Sequence, residues 1–247
     1  EMCIRDRFTA LLVAEFFISP EVLATATAFG GATIIGLFAV APAIRPRLRS
    51  LAVDLVAAYA ILAALVSPWL YEMFGTPHLP PAITSVKPFS NDLLSFFIPS
   101  SPTVGAGAFT SVTRQFPGGP LSGQHGFGYL GLPLLLALAL ALVPQIRRSR
   151  AEPADFRLRV TGVVTAVTAV AALGPELHVA GHSVMPFPWA LVSWIPGLHY
   201  ALPARFAAYT ALGAGVVVAI WLASRPSLAR WALAGASLLF LIPSPNW

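Results

Sequence analysis

Apolar runs of about twenty residues recur along the chain, separated by short polar breaks, and this is the pattern of helices cut to the thickness of a bilayer. Residues 22–42, 51–70, 129–145, 160–175, 206–224 and 229–243 each read as one span. A bilayer core of about 30 Å needs roughly 20 residues at ~1.5 Å rise per residue. Residues 8–19 are apolar but too short to cross, and Ser19-Pro20 breaks them from the run that follows. The expected fold class is therefore an all-α polytopic integral membrane protein. It has about six full transmembrane helices plus a partial N-terminal one, in a single domain over residues 8–247. Segments 71–128 and 176–205 remain as long loops between spans, with short interfacial helices expected at Leu93–Ile98 and Trp189–Ile195. Ser90 or Asn91 is the expected cap of the first of these.

Charge adds an orientation. Arg45, Arg47 and Arg49 cluster in one break, Arg147, Arg148, Arg150, Arg157 and Arg159 in a second, and Arg225 and Arg230 in a third. The intervening long loops contain only Lys87, Arg114 and Arg205 as basic residues, and they are rich in aromatic rings. Positive loops stay in the cytoplasm and aromatic rings favour the headgroup layer. The expectation is a bacterial inner-membrane protein with its Arg loops inside and its long loops outside. Charged residues make up 10% of the chain, too few for a soluble domain, which carries about 25%. The pI near 10 comes from the topogenic arginines, so no nucleic-acid partner is expected. One cysteine excludes an intrachain disulfide. Met2–Arg7 resembles a translated sequencing-adaptor tag, so residues 1–7 are read as non-native and the chain as a longer protein cut upstream.

The polar residues within or beside the spans are the candidates for chemistry. Gly126-Phe127-Gly128-Tyr129-Leu130-Gly131 matches a dinucleotide fingerprint in letters but lacks the strand that must precede it, and a tight turn with close helix packing is the simpler reading. His178 and His182 are four apart, but Gly181 and Gly174-Pro175 argue against the helix that would align them for a metal, and His199 and Glu176 could complete a site only through the fold. Asp54 is close enough to the first Arg cluster for an ion pair. Glu15 sits near a helix end, where a carboxylate lines a cavity or is paired. Asp92 either caps the helix it precedes or presents a carboxylate at the membrane surface. Arg205 stands where topogenic statistics disfavour a cation, and its fork suits a phosphate; the alternatives are ordinary lipid phosphates or Glu176.

Several segments then carry a resemblance. Glu15-Phe16-Phe17-Ile18-Ser19-Pro20-Glu21-Val22, the run Asn91-Asp92-Leu93-Leu94-Ser95-Phe96-Phe97-Ile98-Pro99-Ser100, and Tyr129-Leu130-Gly131-Leu132-Pro133 come in a familiar order. With Gly174-Pro175-Glu176-Leu177-His178-Val179 and Pro203-Ala204-Arg205-Phe206, the chain over residues 8–225 resembles bacterial multispanning proteins of the GT-C glycosyltransferase superfold. The resemblance implies transfer of a sugar from a polyprenyl-phosphate carrier to a lipid, glycan or protein acceptor outside the inner membrane. It also implies a catalytic carboxylate in a first outward loop that no residue here matches, so the catalytic residue stays unknown. On that reading Arg205 meets the phosphate, Arg114 or Lys87 assists, and Asp92 and Glu15 touch the acceptor. No resident cofactor is implied, and participation of a divalent metal is left open. The competing readings are a transporter or flippase for a lipid-linked substrate, and a non-catalytic assembly subunit; a clear internal repeat, expected of many transporters, is not visible.

Overall fold

Proline at the first turn of a helix removes a donor that has no partner there, and the Ser19-Pro20 break uses this. In a computed structural model describing residues 4–40, 42–75, 89–100, 103–117, 128–147, 156–191 and 201–244, helix α1 (Ile4–Ile18) ends at that break and α2 (Pro20–Val40) begins on the proline. The Ser19 hydroxyl accepts from Val22 N–H at 3.3 Å, closing the new N-terminus. After the turn Pro42–Ile44 comes α3 (Arg45–Gly75), whose interior Pro68 cannot donate to Ala64. The Ser67 hydroxyl does so instead, at 2.9 Å, so the helix runs on. The remaining elements are α4 (Thr110–Thr113), α5 (Leu132–Arg147), α6 (Phe156–Ala172), strands β1 (Glu176–Val179) and β2 (His182–Pro186), α7 (Phe206–Ser224) and α8 (Leu228–Phe240).

Contacts divide the chain into two compact units, Glu1–Thr84 with Pro196–Ala201, and Ser85–Ile195 with Leu202–Trp247. In the first, α1 and α3 close on a core of Leu12, Phe16, Leu23, Ala58, Leu62 and Val66. Thr27 and Tyr59 share a hydrogen bond between α2 and α3. In the second, α6 and α7 form the closest helix pair, and α5 packs against α7 and α8.

The α6–α7 seam is built from small and hydroxylated residues, as suits helices that associate by close packing. Thr165, Thr168 and Thr210 are buried there, and the Thr210 and Thr168 hydroxyls lie 3.2 Å apart. A Cβ at Gly213 would stand 2.4 Å from Thr165 Oγ1 and 3.5 Å from its Cα. Gly213→Val is therefore expected to force the helices apart and to cost about 1–3 kcal/mol, read as a lowered melting temperature in detergent. Gly215→Val on the same helix, with nothing near its added Cβ, is the neutral comparison.

Three helical stretches are long and apolar enough to cross a membrane: Pro20–Phe38, Arg45–Glu72 and Pro203–Ser224. This is consistent with a membrane protein. The expected count of six is not reached by that measure among the described residues. Leu132–Gln145 and Leu228–Phe240 are apolar but short, and the 13 residues of α8 reach only about 20 Å. The described residues are mostly helical, which fits the all-α expectation, and part of segment 176–205 adds one two-stranded β-hairpin. The interfacial helix expected at Trp189–Ile195 is one 3-10 turn, Pro188–Leu191, and residues 192–195 lie outside the described residues. Described members of the arginine clusters are largely helical rather than in loops: Arg45, Arg47 and Arg49 open α3, Arg157 and Arg159 open α6, and Arg230 lies in α8. Arginine is a good helix former, so the turns between spans need only a few residues. Arg230 donates to Trp221 O at 2.7 Å with its guanidinium 4.4 Å from the Trp221 ring, and so ties the end of α7 to α8.

Candidate functional site

The polar residues of greatest interest gather in the second unit, around the loop 89–100, the hairpin and the start of α7. The loop is fastened to the end of α6, where Asn91 N–H donates to Ala172 O at 3.0 Å. Gly174 follows with φ +82°, and a Cβ on it would lie 2.0 Å from Ser90 Oγ and 3.5 Å from Pro203 Cβ. Only glycine fits between these two neighbours, so the chain segments before β1, around Ser90 and before α7 meet there.

The hairpin pairs β1 and β2 antiparallel, with Val179 opposite His182 and a two-residue turn at Ala180-Gly181. Both turn residues have positive φ, 53° and 83°, as a type I′ turn demands. For Ala180 this backbone is unfavourable by about 1–2 kcal/mol. Such strain persists where the surroundings over-determine it. Asp92 supplies that determination. Its Oδ1 accepts from Ala180 N–H at 3.1 Å and its Oδ2 from Gly181 N–H at 2.7 Å. Oδ1 also accepts from Leu94 N–H at 2.9 Å, which caps the 3-10 turn Leu93–Phe96.

Asp92 is 1% exposed, so its carboxylate is committed to these amides and is not presented at a surface for an acceptor. The cap is Asp92 itself, not Ser90 or Asn91. Those two are buried as well, and Ser90 Oγ, both Asn91 side-chain atoms, Ser95 Oγ and Trp189 Nε1 make no hydrogen bond among the described residues. A buried polar atom without a partner costs about 1–3 kcal/mol. Sequence reasoning missed this polar seam; its one signal was three polar residues, Ser90-Asn91-Asp92, ahead of an apolar run.

Arg114 is exposed just after α4, and the next residue, Gln115, has its carbonyl against Gly181, so Arg114 stands beside the hairpin turn. Arg205 closes the 3-10 turn Pro203–Arg205 and opens α7. It is exposed while residues 201–204, 206 and 207 are buried, so the fold presents its side chain outward from an otherwise buried run. Phe206 behind it is 1% exposed, with its ring centroid 5.0 Å from that of Trp189.

The other expected residues fall elsewhere. Glu15 is half-buried on α1, in the first unit, and Lys87 lies outside the described residues. Asp54 is exposed and, among the described residues, makes no ion pair with the α3 arginines. Glu176 Oε2 accepts from the Ser183 hydroxyl at 3.0 Å. His178 and His182 stand on opposite strands, with His178 Nδ1 3.0 Å from Glu176 O, and His199 lies outside the described residues. Among the described residues, no three His, Cys, Asp or Glu side chains gather as a metal-binding group. The fingerprint-like glycines include Gly128, set against Ser95 and Phe96, and Gly131, whose N–H and that of Leu130 donate to Phe96 O. They bring the start of α5 to the loop.

No curated protein and no solved structure matches the chain. The family model described as Domain of unknown function (DUF6311) matches residues 3–242, nearly the whole length, and the chain belongs to that family.

Proposed function

We propose that this chain is a multispanning glycosyltransferase of the GT-C kind, with its carrier-binding site in the second unit. On this reading it takes sugar from a polyprenyl phosphate on the outer side of a bacterial inner membrane. On the same reading α2, α3, α5, α6, α7 and α8 are its spans, with the arginine clusters inside.

The observation that carries the reading is the placement of Arg205. An exposed guanidinium stands at the positive end of a long apolar helix, beside an aromatic pair and near a seam of buried hydroxyl and amide groups. A phosphate tethered to an isoprenoid needs this combination: a planar fork for two oxygens and apolar surface for the chain. Arg114, beside the hairpin, is the second cation of the reading. Asp92 is withdrawn as an acceptor-binding group and becomes the residue that shapes the site.

Arg205→Ala is expected to weaken binding of a polyprenyl-phosphate sugar by roughly 10- to 100-fold, from the ~1.5–3 kcal/mol of a hydrogen bond to a charged group. The measurement is binding of the labelled carrier to the protein in nanodiscs, with the uncharged polyprenol as comparison. Unchanged affinity in the variant, or equal binding of the uncharged polyprenol, would remove Arg205 from the site. Passage of the carrier across proteoliposomes without sugar transfer would favour the flippase reading instead.

A further inference from the structure

The first unit contains a feature that the carrier-binding reading does not use. Near the junction of α2 and α3, an apolar crevice of about 250 Å³ is lined by Ile34, Ile35, Phe38, Leu48, Arg49 and Ala52. Five of the six lining residues are apolar and none is acidic. Arg45 is anchored at its edge, its Nε donating to Phe38 O at 2.8 Å. The Arg45 guanidinium lies 5.2 Å from the centre of the Phe38 ring, and that of Arg49 lies 5.7 Å from the same centre.

Two like charges four residues apart on one helix repel. The Phe38 ring offsets part of this through its negative face. An anion seated between the two forks would offset the rest. The crevice wall says what kind of anion. Ile35 is 72% exposed, and a small soluble ion would leave that hydrocarbon uncovered. An acyl chain would cover it. Both bounding helices are long and apolar enough to cross a membrane, and the arginines sit where α3 begins, so the crevice opens at headgroup level.

We infer that the crevice between α2 and α3 is a site for one anionic glycerophospholipid. Arg45 and Arg49 grip the phosphate, and Phe38, Ile34, Ile35, Leu48 and Ala52 seat the upper part of an acyl chain. The site rests on residues of the first unit only, so it stands or falls separately from Arg205. Its consequence is structural: the bound lipid pins the start of α3 to the end of α2.

The test uses the full chain in neutral detergent, titrated with dioleoylphosphatidylglycerol or dioleoylphosphatidylcholine, with retained lipid counted by native mass spectrometry. The wild-type chain is expected to retain the anionic lipid at least tenfold over the zwitterionic one. R45Q/R49Q should bring that ratio close to one. Because that pair also touches Phe38, Ala52→Phe serves as a second variant: it keeps both arginines, fills the chain seat and should lower retention by a similar factor. R157Q, an exposed arginine at the start of α6, should leave the ratio unchanged. Equal retention of both lipids by the wild-type chain would overturn the inference, as would a preference that survives R45Q/R49Q. Glycerophosphoglycerol without acyl chains binding as well as the lipid would make this a plain anion site. Preferential retention of a polyprenyl phosphate over phosphatidylglycerol would make it a carrier site; either result overturns the lipid assignment.

Discussion

Asp92→Ala is expected to release the β1–β2 hairpin and to lower the stability of the second unit by about 3 kcal/mol or more. The variant removes one buried carboxylate and leaves three backbone donors, Leu94, Ala180 and Gly181, without their acceptor. Each stranded donor costs about 1–3 kcal/mol where it remains buried, although partial rearrangement keeps the sum below three full penalties. The positive φ of Ala180 adds to the effect, because the strain that Asp92 held in place is free to relax by opening the turn. Hydrogen exchange at the Ala180 and Gly181 amides, together with proteolysis between residues 176 and 186, reads the local release; the melting temperature reads the total. Asp92→Asn keeps the volume but presents one neutral oxygen where two charged ones stood, so roughly half the loss is expected. Wild-type protection of those two amides in Asp92→Ala would show that something other than the carboxylate holds the turn.

The second large effect is expected from Gly181→Ala, from the other side of the same junction. Gly181 has φ +83°, and a Cβ there would stand 2.1 Å from the Gln115 carbonyl oxygen and 2.8 Å from the carbonyl carbon. Backbone cannot swing aside as a side chain can, so the hairpin must shift away from residues 114–116. Left-handed strain of about 1–2 kcal/mol and overpacking of about 1–3 kcal/mol together give a loss near 3 kcal/mol. Gly105→Ala separates the two causes, since Gly105 has φ +86° and nothing within 4 Å of its added Cβ. It should show the strain alone. If Gly105→Ala and Gly181→Ala cost the same, the contact with Gln115 does not constrain the turn. The double variant Asp92→Ala with Gly181→Ala should cost less than the sum of the singles, because either change already frees the turn.

These expectations also show how far the sequence could be read. The break at Ser19-Pro20 was legible because proline and serine act within one helical turn. The helices α2, α3 and α7 were legible because sustained apolarity is a property of the segment itself. The hairpin was not: Glu176–Val179 alternates over only four residues, His182–Pro186 does not alternate, and the turn is Ala-Gly rather than the usual Asn-Gly. The arginine clusters were found, but their helical placement was not, since charge marks the membrane boundary and leaves the backbone there unspecified. Arg205 stood out as a cation in an unusual place, yet its exposure within a buried run appeared only when the 3-10 turn before α7 was in view.

By itself the sequence determined which stretches are apolar enough for a membrane, where they break, and which few polar residues needed an explanation. These are local matters, set by composition and by residues a turn or two apart. Only the tertiary structure decided what those polar residues do. Asp92 meets amides 88 and 89 positions away, Gly174 fits between Ser90 and Pro203, and Arg49 joins Arg45 over a ring from the preceding helix. A carboxylate at a surface and one that fastens a strained turn have the same letter and the same neighbours in sequence. They differ in which distant backbone donors fold against them, and no local period records that.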